Sequence, residues 1–237
     1  MLEFVAPDPF LMAKIAAPKP PLEPHPPRQD WASEPCVWQE GAHWNDAQLS
    51  SAAFELLRRG GSEISRLNIE RCEFDAARLA QLEWSKLDAS DVVLRGCDLS
   101  NAVWPNAQVF RARLEACRAT GLRANESRWQ HIVWRECLLS LAQFRFAEFK
   151  STRFENCLLR GSDFESADLR GVVFERCDLS QARFERAQLS GADIRGCTIE
   201  GLHMDAPSLR GLVIDPAQAI HFVGLLGARI AGVGEAL

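Results

Sequence analysis

Six cysteines stand 20 residues apart, Cys97, Cys117, Cys137, Cys157, Cys177 and Cys197, and Cys72 lies 25 residues before the first of them. Thiols at so regular a spacing could hold a soft metal, pair as disulfides or carry redox equivalents. A zinc site needs ligands that converge tetrahedrally, and no C-x-x-C pair or histidine cluster supplies the second half. The five histidines, His25, His43, His131, His203 and His221, are scattered, and HExxH, GxSxG, a Walker loop and GxGxxG after a strand are all missing. These residues argue for no enzyme, no cofactor and no metal. The cysteines are then expected to be buried packing residues, since a free cysteine behaves as a small hydrophobe.

The composition fits that view. The chain has 237 residues, 47% hydrophobic and 25% charged, which argues against a disordered or low-complexity polymer. A net charge of −5, from 27 basic and 32 acidic side chains, has the wrong sign for a dedicated nucleic-acid binder. No apolar run approaches the length of a membrane span and no secretory pattern opens the sequence, so a cytosolic location with reduced thiols is expected.

What must position the cysteines is a repeat. From Trp44 to Ile214, every residue whose number ends in 4 or 9 is apolar except Arg59, a column of 35 positions. Two residues before each lies a second, uncharged column rich in alanine that holds seven of the eight cysteines. Neither the 3.6-residue period of a helix nor the 2-residue period of a strand puts every fifth residue on one face over this length. A coil does: if five residues make one side of a square, 20 close a turn. Both columns then point at the axis, and successive turns pair at about 4.8 Å. Carboxylates such as Asp163 and Asp168 fall on different outward sides and are expected to be solvated.

Units such as Ala167-Asp168-Leu169-Arg170-Gly171 and Ala192-Asp193-Ile194-Arg195-Gly196 resemble the A-(D/N)-L-x-x units of the pentapeptide-repeat proteins. The resemblance covers 42–214. It implies an all-β fold, a right-handed quadrilateral β-helix of eight to nine coils, about 40 Å long at ~4.8 Å per coil. The unbroken five-residue register leaves no room for inserted loops.

The ends lie outside the repeat. Residues 1–41 comprise an apolar stretch with Phe4, Phe10, Leu11, Met12 and Ile15, then a proline-rich linker from Pro18 to Pro35. So apolar a tail is expected to dock on the solenoid or on a partner. Between Asp46 and Arg59 the pattern suits a short helix stopped by Gly60 and Gly61 as well as it suits a first irregular coil. In 215–237, Asp215 is placed to cap a helix with Pro216 at its first position and Gly227 beyond its end, a lid for the open β-helix. By the resemblance, this segment is expected to form a homodimer, through Phe222, Leu225, Leu226 and Ile230.

Function is then expected on the outer surface. Charge falls in bands: net −3 over 63–98, +5 over 111–160 and −4 over 163–205. Arg113, Arg118, Arg123 and Arg128 hold the same place in four consecutive units and should form a collar around one coil. Near them the outward positions Val133, Leu138, Leu141, Phe146 and Leu158 are apolar, and together with the collar they are the candidate partner-binding residues. The resemblance implies two kinds of role. One is a non-enzymatic scaffold or adaptor that binds protein partners, as in accessory proteins of bacterial secretion systems, type VI included. The other is a DNA-mimicking binder of DNA gyrase or topoisomerase IV that gives quinolone or toxin resistance. Mimicry rests on strongly negative faces, whereas 42–214 carries 23 basic and 24 acidic residues, which favours the scaffold and disfavours a topoisomerase partner.

Overall fold

A five-residue unit closes a corner only if its last residue turns sharply, and the corner backbone shows how. In the computed structural model, which describes residues 20–23, 42–45, 48–50, 63–64 and 66–228, residues ending in 1 or 6 adopt positive φ almost throughout 71–211. Lys86 and Ala206 are the exceptions. Typical values are 54° at Asn101, 60° at Leu141 and 70° at Gly171. At many of these corners a β-turn with a left-handed third residue turns the chain; Ala102 N, for example, donates to Leu99 O at 3.0 Å, whereas extended strand runs through the corners at Asp91, Arg111, His131 and Ser151. Between corners both inward columns are buried at every position from Leu67 to Ile199.

The strands are β1 (Ala42–Asn45), β2 (Gln48–Ser50), β3 (Glu63–Ile64), β4 (Leu67–Glu70), β5 (Glu73–Asp75) and β6 (Glu83–Trp84). They continue as β7 (Leu87–Arg95), β8 (Gln108–Glu115), β9 (Arg128–Arg135), β10 (Glu148–Glu155) and β11 (Val173–Glu175). All pairs are parallel, and from Leu67↔Leu87 to Asp193↔Val213 each residue pairs with the one 20 further on. Each turn donates and accepts along the axis: Arg118 N donates to Cys97 O at 2.9 Å, and Leu99 N to Arg118 O at 2.6 Å. The product is a parallel β-solenoid with four sides, here numbered from 77–81 (side 1), 82–86 (side 2), 87–91 (side 3) and 92–96 (side 4), each recurring every 20 residues.

The described solenoid is shorter than the eight to nine coils expected. The main sheet has nine strands, ordered β1-β4-β7-β8-β9-β10-β11 with β2 and β5 paired beside this path; β7 to β11 are its five successive C-terminal strands, and single bridges extend it to Val213. At the N-terminal end the register also differs from expectation. β1 pairs Ala42 with Leu67 and β2 pairs Gln48 with Glu73, so this turn takes 25 residues where the others take 20. Five inserted residues leave every later residue in its column, which is why the five-residue pattern looks unbroken across an insertion. The choice between helix and coil over 46–59 falls largely outside the described residues, which there include only β2.

Large and small side chains balance within each turn. The turn holding Ala119 and Ala124 on sides 1 and 2 places Trp129 and Trp134 on sides 3 and 4. Along the axis, rings stack coil on coil. Phe144, Phe164 and Phe184 run up side 2 with centroids 5.2 and 5.1 Å apart, and Phe154 and Phe174 lie 4.9 Å apart on side 4. Offset stacks of this kind add to the area they bury.

At the C-terminal end, α1 (Pro216–Val223) begins as expected. Asp215 accepts from Gln218 N at 3.0 Å, and the Gln218 side chain accepts from Asp215 N at 3.1 Å, a complete capping box. Gly227, at φ 78°, ends the following 3-10 turn. Gln218 is buried and donates to Ile194 O and Cys197 O at 2.8 and 2.9 Å, closing off carbonyls that the last coil leaves open.

Candidate functional site

The cysteine column is a structural stack. Each thiol donates to the carbonyl of the inward residue 23 positions earlier, Cys117 to Leu94 O at 3.5 Å, Cys137 to Leu114 O at 3.3 Å and Cys177 to Phe154 O at 3.3 Å. Cys72 lies off this stack on side 4, beneath Val92. Hydrogen bonds between neighbouring thiols, then burial, push Cys97, Cys137 and Cys197 up, so these thiols stay protonated. Side chains that project in parallel from turns about 4.8 Å apart hold their Cβ atoms farther apart than the ~3.8 Å of a disulfide. Among the described residues no group of three or more His, Cys, Asp or Glu side chains is placed to hold a metal. Maleimide labelling of these six cysteines is therefore expected to be at least about a hundred-fold slower in native than in unfolded protein; fast native labelling of several would show that the column is open.

Outward, the pairing scheme assigns every candidate residue to a side. Arg113, Arg118, Arg123 and Arg128 pair with Val133, Leu138, Gln143 and Glu148, so they lie on sides 4, 1, 2 and 3 of one coil. The collar exists, but with one arginine per side a single flat partner meets only two of them. Two of the four also have carboxylate partners. Arg113 pairs with Glu23 and lies 3.7 Å from Glu115, and Arg128 lies 3.6 Å from Glu148. Arg118 and Arg123 are exposed and make no ion pair among the described residues.

Side 4 is electrostatically satisfied along its length. Arg95, Glu115, Arg135 and Glu155 alternate in sign coil by coil, with Arg95 to Glu115 at 3.6 Å and Arg135 to Glu155 at 2.9 Å, and Arg153 reaches Glu175 at 2.9 Å. Desolvation works against the Glu155 carboxylate, but Arg135 and Arg153 outweigh it and hold it below the usual carboxylate range. Exposed pairs like these contribute little each; their consequence here is a nearly neutral surface. Val133 sits in this ladder, half-buried between Arg113 and Arg153. The structure therefore separates it from the other apolar candidates.

Side 1 is different. Its outward column runs Arg78, Asp98, Arg118, Leu138, Leu158, Asp178, with Leu138 and Leu158 in direct register. Leu138 is 39% exposed, Leu158 47%, and Leu141, at the corner of the same side, 62%. Gly121 and Gly161 flank Leu141 above and below in the corner column, so it projects as a knob. A Cβ on Gly161 would come within 3.1 Å of Leu141 Cδ2. Beside the ridge, Arg78, Asp98, Arg118 and Leu138 surround a shallow depression floored by Gly96 and Ala116, small corner residues. Phe146, 58% exposed, occupies the next corner, beyond side 2, where Arg145 is bound to Asp163 at 2.7 Å. The structure thus brings Leu138, Leu141, Leu158 and Arg118 together and leaves Val133 and Phe146 apart.

The C-terminal candidates also divide. Phe222 is buried against the end of the core, which removes it from any dimer contact. Leu225 and Leu226 are 40% and 70% exposed, Ile220 joins them at 62%, and Ile230 lies outside the described residues.

Two features lie outside the expected set. Asp91, buried at a corner, accepts two hydrogen bonds of 2.6 Å from Arg111, which lies 4.3 Å over the Phe110 ring. Asp91 and Arg111 stand 20 residues apart, which could have revealed the pair. The other is the ion pair between Glu23 and Arg113, which no periodicity encodes.

A pentapeptide repeat region model matches residues 127–204. Among solved structures, a trypsin-treated variant of QnrB1, a plasmid-mediated fluoroquinolone resistance protein, is similar at 19% identity over 82% of this chain and 98% of that one, with a TM-score of 0.33. HetL, a pentapeptide repeat protein involved in heterocyst differentiation regulation in Nostoc sp. strain PCC 7120, is similar at 16% identity over 76% and 87%, with a TM-score of 0.29. Rfr23 of Cyanothece 51142 is similar at 19% identity over 60% and 91%, with a TM-score of 0.19. The search of curated protein sequences gives no match. No helix among the described residues is long and apolar enough to cross a membrane.

Proposed function

We propose that this chain, a pentapeptide-repeat protein whose family region lies at 127–204, is a non-enzymatic protein-binding scaffold that engages its partner through side 1 of the rod. The observation that carries the reading is Leu141. A leucine at φ 60° bears a backbone cost of about 1–2 kcal/mol, and its side chain is 62% exposed. Neither folding nor packing asks for leucine there. Beside it, Leu138 and Leu158 add apolar surface, and Arg118 offers a guanidinium without a partner among the described residues, so the patch suits a partner with an apolar anchor and an acidic rim. Part of a secretion assembly is one setting that the resemblance offers.

Capture with the tagged full-length protein tests this, with the same preparation assayed for inhibition or protection of gyrase supercoiling. The expected result is a protein complex that Leu138→Asp with Leu158→Asp abolishes and a gyrase activity left unchanged. Recovery of topoisomerase subunits together with inhibition or drug protection would instead establish DNA mimicry and overturn the scaffold reading.

We further propose that two copies associate through the C-terminal cap. Ile220, Leu225 and Leu226 support this, since a lid alone has no use for three exposed aliphatic side chains. Leu226→Asp is expected to halve the mass seen by light scattering without loss of the β signal in circular dichroism; an unaltered mass retires the dimer.

A further inference from the structure

Side 1 carries its charges and its apolar ridge in an order that is its own complement. In the outward column Asp98, Arg118, Leu138, Leu158, Asp178 and Thr198 stand one per coil in parallel register. Turned end over end about a point midway between Leu138 and Leu158, this column brings Leu138 onto Leu158, Arg118 onto Asp178 and Asp98 onto Thr198. Arg118 is exposed and Asp178 half-buried, and neither makes an ion pair among the described residues. Asp178 accepts from Ser180 N at 2.9 Å, which fixes its carboxylate on this face. The corner column obeys the same operation: Leu141, 62% exposed, falls opposite Gly161, which has no side chain to meet it. In the remaining outward column Arg160 falls opposite Ser140, and no charge on the face falls opposite one of its own sign.

Other alignments lack this match. A slip of one coil that centres the operation on Leu138 sets Leu141 against Leu141 and Asp98 against Asp178. The opposite slip, centred on Leu158, sets Leu138 against Asp178 and Arg160 against Arg160. Two rods lying parallel bring Arg118 level with Arg118 and Asp178 level with Asp178. Like charges held in register across a contact are strongly unfavourable.

We propose that the partner side 1 takes is a second copy of this chain, laid antiparallel about a two-fold axis between Leu138 and Leu158, an inference that rests on the reading of side 1 as the contact surface. The contact is isologous, so each of its pairs occurs twice. The face is at most ~17 Å wide and the coils from Asp98 to Thr198 span ~29 Å, which gives each copy roughly 500 Å² to bury and makes the pair a weak one that forms as the protein is concentrated. The antiparallel order leaves the two caps at opposite ends, clear of this contact.

Sedimentation equilibrium of the full-length protein tests the pair, with Leu226→Asp present throughout so that side 1 alone is read. Between about 1 and about 500 µM the mass is expected to rise from one chain towards two. Arg118→Asp and Asp178→Arg are each expected to weaken this association about ten-fold or more, because symmetry places the like-charge contact twice in every pair. Mixed in equal amounts, the two variants are expected to pair as tightly as the parent, since each then meets the opposite charge at both contacts; recovery on mixing also shows that both are folded. A mass of one chain at every concentration overturns the proposal. So do single variants that associate as tightly as the parent, or a mixture that fails to pair. Capture of a different protein, lost in Leu138→Asp with Leu158→Asp, by rods that stay monomeric in sedimentation overturns the pair and leaves side 1 as the contact surface, so the two readings fail separately.

Discussion

Replacing Phe164 with alanine is expected to cost about 3–5 kcal/mol of stability, read as a lower midpoint in urea unfolding. Phe164 is fully buried, and its ring lies 5.2 Å from Phe144, 5.1 Å from Phe184 and 6.0 to 6.3 Å from Phe149, Phe154 and Phe174. In many cores part of such a loss is recovered when neighbours settle into the void. Here the coil spacing is pinned on both sides by the ladder: Phe164 N donates to Arg183 O at 2.8 Å, and Phe144 N to Asp163 O at 2.7 Å. The coils cannot close on one another without breaking those bonds, so the cost belongs at the upper end of the range. Because contacts in a solenoid reach only adjacent coils, the lesion should also divide the rod and broaden its unfolding transition. A loss below about 1 kcal/mol would mean that the coils slide and the ladder is not what fixes their spacing.

The core of this rod is legible in sequence because its period matches no helix and no plain strand, and one arginine in 35 positions breaks the column. The same strictness hides what is added in units of five. The 25-residue first turn keeps Leu49 and Phe54 in the column, so only the strand pairs Ala42↔Leu67 and Gln48↔Glu73 reveal it. Register also assigns each outward residue to a side, which placed Leu138 over Leu158, but says nothing of how a charge is answered. Arg113, Arg135, Arg153 and Arg145 look alike as members of a basic band; the next coil supplies carboxylates to Arg135, Arg153 and Arg145, Glu115 and Glu23 answer Arg113, and of the collar Arg118 and Arg123 are left.

The C-terminal cap held a signal that the apolar count concealed. Gln218 and Phe222 are four residues apart and therefore share one face of α1, and both are buried. A helical spacing applied to that segment would have turned Phe222 inward and left Ile220 outside. The anchor of Glu23 on Arg113 had no such signal, since it joins a segment outside the repeat to one within it through a single ion pair.

For the partner surface, Leu138→Asp with Leu158→Asp is expected to weaken the complex about a hundred-fold or more, since a central apolar anchor is worth about 2 kcal/mol or more. Both leucines lie outside the core at 39% and 47% exposure, so the rod should fold as before. Val133→Asp, in the salt-laced column of side 4, serves as the control and should bind normally. Arg118→Glu should act through charge, with a loss that shrinks as salt is raised. Leu141→Gly separates binding from folding most sharply. Glycine relieves the left-handed backbone at φ 60°, so stability should hold or rise by up to about 1 kcal/mol, while the knob on side 1 disappears and the complex weakens. A residue kept for packing would lose stability on truncation; one kept for contact loses only its partner. Loss of stability in Leu141→Gly with binding intact would therefore return this leucine to the fold and remove the observation on which the contact surface rests.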